Sequence, residues 1–69
     1  MILQHQFTNS SMLHSASYDT QTKELSVTFV NGREYTYVDV EESTYDELIG
    51  SASAGRYFNL IKSGLTVKQ

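Results

Sequence analysis

The stretch Glu24-Leu25-Ser26-Val27-Thr28-Phe29-Val30-Asn31-Gly32-Arg33-Glu34-Tyr35-Thr36-Tyr37-Val38-Asp39-Val40 decides the fold. Leu25, Val27 and Phe29 alternate with Glu24, Ser26 and Thr28. A period of two marks a half-buried strand. Asn31-Gly32 follows, and these residues best tolerate the positive φ that both positions of a type I′ turn demand. Arg33 to Val40, rich in Tyr, Thr and Val, then returns as an antiparallel strand. A two-residue loop sets Val30 opposite Arg33, Thr28 opposite Tyr35, Ser26 opposite Tyr37 and Leu25 opposite Val38. Opposed residues share a face. Leu25, Val27, Phe29, Val38 and Val40 are therefore expected on one apolar face. Tyr35 and Tyr37 are expected on the other, beside Ser26, Thr28 and Arg33.

Working outward, Asn9-Ser10-Ser11 reads as a turn and Met12 to Tyr18 as a short strand. Asp19 to Thr22 is a turn whose side chains bond their own backbone. After Val40 the spacing becomes helical. Ser43 is the expected N-cap, with Asp46 three residues on in the manner of a capping box. Tyr45, Leu48 and Ile49 form one apolar stripe, and Gly50 is the expected stop. Ser51 to Ser53 either separates two helices or caps the second. Arg56 to Ser63 reads as that second helix, burying Phe58 and Ile61, with Gly64 ending it. The tail from Leu65 is short enough to add a strand or to fray. The fold class is α+β: a three-stranded antiparallel β-meander followed by two short α-helices packed on one sheet face. The tyrosine face is left open.

The chain has 69 residues, one small domain spanning 1–69. A domain this size buries only about 60% of its unfolded surface and often needs a staple. No cysteine is present, so disulfides and thiolate metal sites are excluded. Self-association is the remaining common support, and a homo-oligomer is expected. Net charge is −3, which argues against a broad grip on duplex nucleic acid. The charge is unevenly spread. All eight acids lie between Asp19 and Glu47, whereas Arg56, Lys62 and Lys68 share a segment without acids. No apolar run approaches the ~18 residues of a membrane span, and Met1 to Phe7, without a basic region before an apolar stretch, is not expected to be a secretory signal. The expected location is the cytoplasm, with no membrane partner.

With these elements placed, the chain resembles the KTSC domain family. The resemblance is carried by Tyr18-Asp19, Leu25-x-Val27-x-Phe29, Asn31-Gly32, Tyr35-Thr36-Tyr37 and Asp39-Val40. The run Ser53-x-Gly55-Arg56-Tyr57-Phe58-Asn59 with Ile61-Lys62 completes it. It covers roughly residues 10 to 62. Three positions depart from the family pattern. Glu41 replaces a usual proline, Ser51 a common alanine, and only Leu60 separates Asn59 from Ile61. The resemblance implies a domain of the type found at the C-terminus of certain lysyl-tRNA synthetases and alone in bacteria and phages. RNA binding has been suggested for the family.

Two constellations carry candidate chemistry. Tyr35 and Tyr37, at i and i+2 on an open face, could stack a nucleobase, which is worth about 1–3 kcal/mol per base. The alternative is packing on a partner subunit or on the N-terminal segment. Ser51 to Arg56, a small-residue loop opening a helix, could turn backbone N–H groups toward an anion, or serve as ordinary caps. The expected ligand set is Arg33, Tyr35, Tyr37, Ser53, Gly55, Arg56, Asn59 and Lys62, with no catalytic residue, cofactor or metal. The acids Glu41, Glu42, Asp46 and Glu47 are explained by a helix N-terminus. His5 and His14 have no spacing that implies a triad. The expected function is a non-enzymatic module of bacterial or phage type. Its ligand carries nucleobase and phosphate: a small nucleotide, held for sequestration, or short RNA. The alternative is a phage-type interaction module or inhibitor docking on a host protein through the same tyrosines; a phage-encoded copy would work in the host cytoplasm.

Overall fold

A computed structural model describes residues 1–8 and 10–68. Five strands, β1 (Ile2–Gln6), β2 (Leu13–Asp19), β3 (Glu24–Phe29), β4 (Glu34–Val38) and β5 (Thr66–Val67), form one antiparallel sheet in chain order. Two helices, α1 (Glu42–Gly50) and α2 (Ala54–Ile61), connect β4 to β5, with a short 3-10 turn at Lys62–Gly64. The architecture is α+β with two helices, but the antiparallel sheet has five strands rather than three. β1 was missed because it is short and only Leu3, His5 and Phe7 mark its inner face. The tail does add a strand, β5, on β4.

The β3–β4 register differs by one residue from the expected one. Thr28 pairs with Glu34, Val27 with Tyr35 and Leu25 with Tyr37. The loop holds three residues rather than two. Gly32 N–H donates to the Phe29 carbonyl at 3.0 Å, and Phe29 N–H donates to the Arg33 carbonyl at 2.8 Å. Only Gly32 takes positive φ, at 90°, while Asn31 stays out of that region. This is a type I turn followed by a left-handed glycine. Asn31 supports it by accepting the Arg33 N–H on Oδ1 at 3.0 Å. A one-residue slip moves a whole strand's side chains to the other face. The expectation that Tyr35 and Tyr37 line the open face is thereby overturned. Both point to the side the helices cover.

That covered side holds the core: Leu13, Ala16, Tyr18, Leu25, Val27, Tyr37, Val40, Tyr45, Leu48, Ala54 and Phe58. Val38 goes to the other face, against expectation, yet Val40 is buried. Asp39 reconciles the two: its φ of 56° breaks the alternation and turns Val40 inward. The Tyr18 hydroxyl donates to the buried Val40 carbonyl, and the Tyr18 ring stacks on Tyr45 at 5.5 Å. This one side chain ties β2 to the β4–α1 connection and to α1. Burial, with lesser pushes from Glu41, Glu42 and Asp19, raises the Tyr18 pKa.

α1 buries Tyr45 and Leu48, with Ile49 half-buried, as the stripe requires. Its N-cap is Glu41, without a side-chain cap, so Ser43 lies inside the first turn and forms no capping box. Gly50 is the last helical residue and Ser51 the C-cap. α2 starts at Ala54, earlier than Arg56, because Ser51 to Ser53 suffices to separate the helices. The uncovered face of the sheet is polar. Gln4, Ser17, Ser26 and Thr36 form one cross-strand row, and Gln6, Ser15, Thr28 and Glu34 the next. Ser26 and Thr36 hydroxyls hydrogen-bond across it at 3.0 Å.

Candidate functional site

Four of the eight expected ligand residues meet in one place. Ser53, Gly55, Arg56 and Asn59, from the start of α2, line a shallow groove of about 230 Å³ opposite Ser10, Ser11 and Met12. Two turns hold its walls. Ser10 Oγ accepts the N–H groups of Met12 at 3.1 Å and Leu13 at 2.9 Å. On the other side Tyr57 N–H donates to the Ser53 carbonyl at 3.0 Å, closing the first turn of α2. Gly55 marks the close approach of the walls. A methyl group there would lie 3.5 Å from both Met12 Cβ and Ser10 Oγ, ordinary contact that fills space the groove keeps open.

The groove's charge is one-sided. None of its lining residues is acidic, and α2 has no acid in its first turn. Ser53 makes no side-chain cap bond, and among the described residues no other side chain accepts from the first-turn N–H groups. Among the described residues Arg56 forms no ion pair; the pairs present are Lys23 with Glu41 and Lys68 with Glu24. Size limits the occupant. Drug-sized ligands fill roughly 300–1,000 Å³, so this groove seats only part of a mononucleotide and leaves the remainder outside.

The other four expected residues stand elsewhere. Tyr37 is only 6% exposed, and its ring meets Phe58 edge-on at 5.7 Å. Burial raises its pKa, with a smaller contribution from Tyr35. Tyr37 is a core residue, not a stacking platform. Tyr35 is 38% exposed and packs edge-on against Phe29 at 5.6 Å, which in turn meets Phe58 at 5.6 Å. Arg33 is exposed in the hairpin. Lys62 caps the far end of α2, roughly 13 Å from Ser53 at ~1.5 Å per residue.

Ser10, Ser11 and Met12 are the groove residues that sequence reasoning missed. Their signal in the sequence was the expected Asn9-Ser10-Ser11 turn, of which Asn9 lies outside the described residues, and such a signal says nothing of what the segment will face. A second groove lies between β1 and the helix connection, lined by His5, Phe7, Thr8, Ser10, Ile49, Ser51, Ala52 and Ala54. Among the described residues no three His, Asp or Glu gather closely enough to hold a metal ion, and no helix is long and apolar enough to cross a membrane.

Comparison with known proteins bears on the family and the fold. The KTSC domain model matches residues 9–62, which includes both walls of the groove. A curated relative from Tsukamurella paurometabola is 34% identical over 50 residues, covering 72% of this chain and 75% of that protein. The crystal structure of a KTSC domain protein from Yersinia pestis superposes with a TM-score of 0.88 at 24% identity, covering 100% of this chain and 97% of that one. That likeness establishes the shared fold.

Proposed function

This chain belongs to the KTSC domain family, and from that premise we propose that it is a non-enzymatic cytoplasmic module that binds a phosphate-bearing nucleotide in the groove at the start of α2. The observation that carries the reading is the convergence of Ser53, Gly55, Arg56 and Asn59 with Ser10, Ser11 and Met12 around an acid-free groove. The Arg56 guanidinium meets the phosphate, joined by the first-turn N–H groups of α2. Ser10, Ser11, Ser53 and Asn59 supply hydrogen-bond partners of fixed position. Met12 gives a base an apolar, polarisable contact. The groove's size favours a mononucleotide or the terminal nucleotide of a short single-stranded RNA. If the ligand is a signalling nucleotide, holding it suffices as a function.

Isothermal calorimetry with mononucleotides, inorganic phosphate and a short single-stranded RNA tests this. The expected result is binding that weakens with added salt and drops about 10-fold or more in Arg56→Ala, given ~1.5–3 kcal/mol for a charged hydrogen bond. Absence of heat at ~1 mM ligand, where binding is worth only about −4.1 kcal/mol, contradicts it. A second reading, docking on a host protein, is favoured by the exposed Val30 and Tyr35 at the β3–β4 hairpin. It predicts a partner captured by the chain and lost in Tyr35→Ala, with no effect of Arg56→Ala.

A further inference from the structure

We propose that the outer edge of β1 is a dimerisation surface whose partner is a second copy of this chain, paired antiparallel about Gln4. The inference stands apart from the ligand groove. It rests on where the backbone groups of β1 point. Thr20 N–H donates to the Met1 carbonyl at 3.0 Å, and Phe7 N–H donates to the His14 carbonyl at 2.9 Å. Between these two bonds the β1–β2 register is unbroken. In an antiparallel pair, hydrogen-bonded residues alternate with non-bonded ones. Leu3 and His5 therefore spend their backbone groups on β2. Ile2, Gln4 and Gln6 turn theirs outward, where no further strand lies among the described residues.

Exposed edges are normally blunted by lysine, proline, a bulge or a cover. Ile2–Gln6 carries no lysine, arginine, acid or proline, and among the described residues the sheet's bulge lies beyond it, between Leu13 and Ser15. The other edge, β5, has only two residues and runs into Lys68. Two features select a second copy as the occupant. The outward set is symmetric about Gln4, so a two-fold axis pairs Gln4 with Gln4 and Ile2 with Gln6. Each pair exchanges two N–H···O bonds, and the interface closes on itself. Charge agrees. β2, β3 and β4 each carry an acid in a chain of net charge −3, whereas β1 has none. Two copies meet without repulsion at this strip. Pairing there also covers Ile2, which is 56% exposed, and joins the Gln, Ser and Thr rows into one continuous polar face.

Sedimentation equilibrium of the full chain from about 10 μM to 1 mM, with amide hydrogen exchange, tests the proposal. The expected mass is twice 7.8 kDa, with slow exchange at Ile2, Gln4 and Gln6. Gln4→Lys places like charges at the axis and weakens association. A synthetic chain N-methylated at Gln4 loses one bond per copy and weakens it about 10-fold or more, with no change in charge. Because the chain has no native cysteine, Gln4→Cys should oxidise to a covalent dimer, the paired Cα atoms lying at roughly 5.5 Å. A monomer at 1 mM, or a dimer unaffected by both Gln4 changes, overturns the proposal.

Discussion

Replacing Tyr37 by alanine tests the strand register directly. Tyr37 is 6% exposed and faces Phe58. A buried tyrosine removes about 150–250 Å² from water. Truncation to alanine forfeits roughly 150 Å² of that, or about 4 kcal/mol at ~25 cal/mol per Å². The lost edge-to-face contact adds ~0.5–1.5 kcal/mol, while a compact unfolded chain subtracts part of the area. The expected cost is about 3–5 kcal/mol, the range of aromatic-to-alanine changes in cores. At ~0.05–0.15 kcal/mol per residue, a domain of this length holds only roughly 3.5–10 kcal/mol. Tyr37→Ala therefore brings the fold to its limit. Urea denaturation followed by far-UV circular dichroism measures the loss. Tyr37→Leu, expected to cost about 1–2 kcal/mol by keeping most of the volume, gives a second point if the alanine variant does not fold. Arg33→Ala, in the exposed hairpin, is expected to stay within ~0.5 kcal/mol. A loss below about 1 kcal/mol in Tyr37→Ala, at unchanged denaturant slope, would refute the register and restore the two-residue loop.

Three further outcomes follow from the same structure. Tyr18→Phe removes the donor to the buried Val40 carbonyl and should cost about 1–3 kcal/mol in urea titration. Gly32→Ala forces a side chain into φ of 90° and should lower the urea midpoint by the equivalent of about 1–2 kcal/mol. Tyr18, Tyr37 and Tyr45 have pKa values raised first by burial, so the unfolded chain releases their protons at lower pH than the folded one. Stability should therefore hold below pH ~10 and fall as pH rises above it, with phenolate absorbance and loss of ellipticity appearing together.

The alternation of Leu25, Val27 and Phe29 made β3 legible, and Tyr45, Leu48 and Ile49 did the same for α1. Asn31-Gly32 announced a hairpin but not its loop length. A two-residue loop needs two positive φ values, and a three-residue loop needs one, so the dipeptide is compatible with both. What separates them is tertiary: the observed register puts Tyr37 against Phe58 and returns Val38 to the polar face. Asp39 hid a second irregularity, since an isolated left-handed residue carries no periodic signal. The groove was half legible. Ser53, Gly55, Arg56 and Asn59 stand out as a small polar run, whereas Ser10 to Met12 join them only through the packing of α2 near the start of β2. Tyr35 and Tyr37 misled because strand tyrosines suit either a core or a stacking face, and one residue of register decides between them.

The groove beside α2 is the proposed ligand site. Nitrogen-15-resolved NMR of the full chain, titrated with a mononucleotide, tests it most directly. Saturable shifts confined to the amides of Ser10 to Met12 and Ser53 to Asn59 are expected, with the midpoint moved about 10-fold or more to higher ligand concentration in Arg56→Ala. Shifts confined to the Ser26, Thr28 and Thr36 face, or none at ~1 mM ligand, would contradict it.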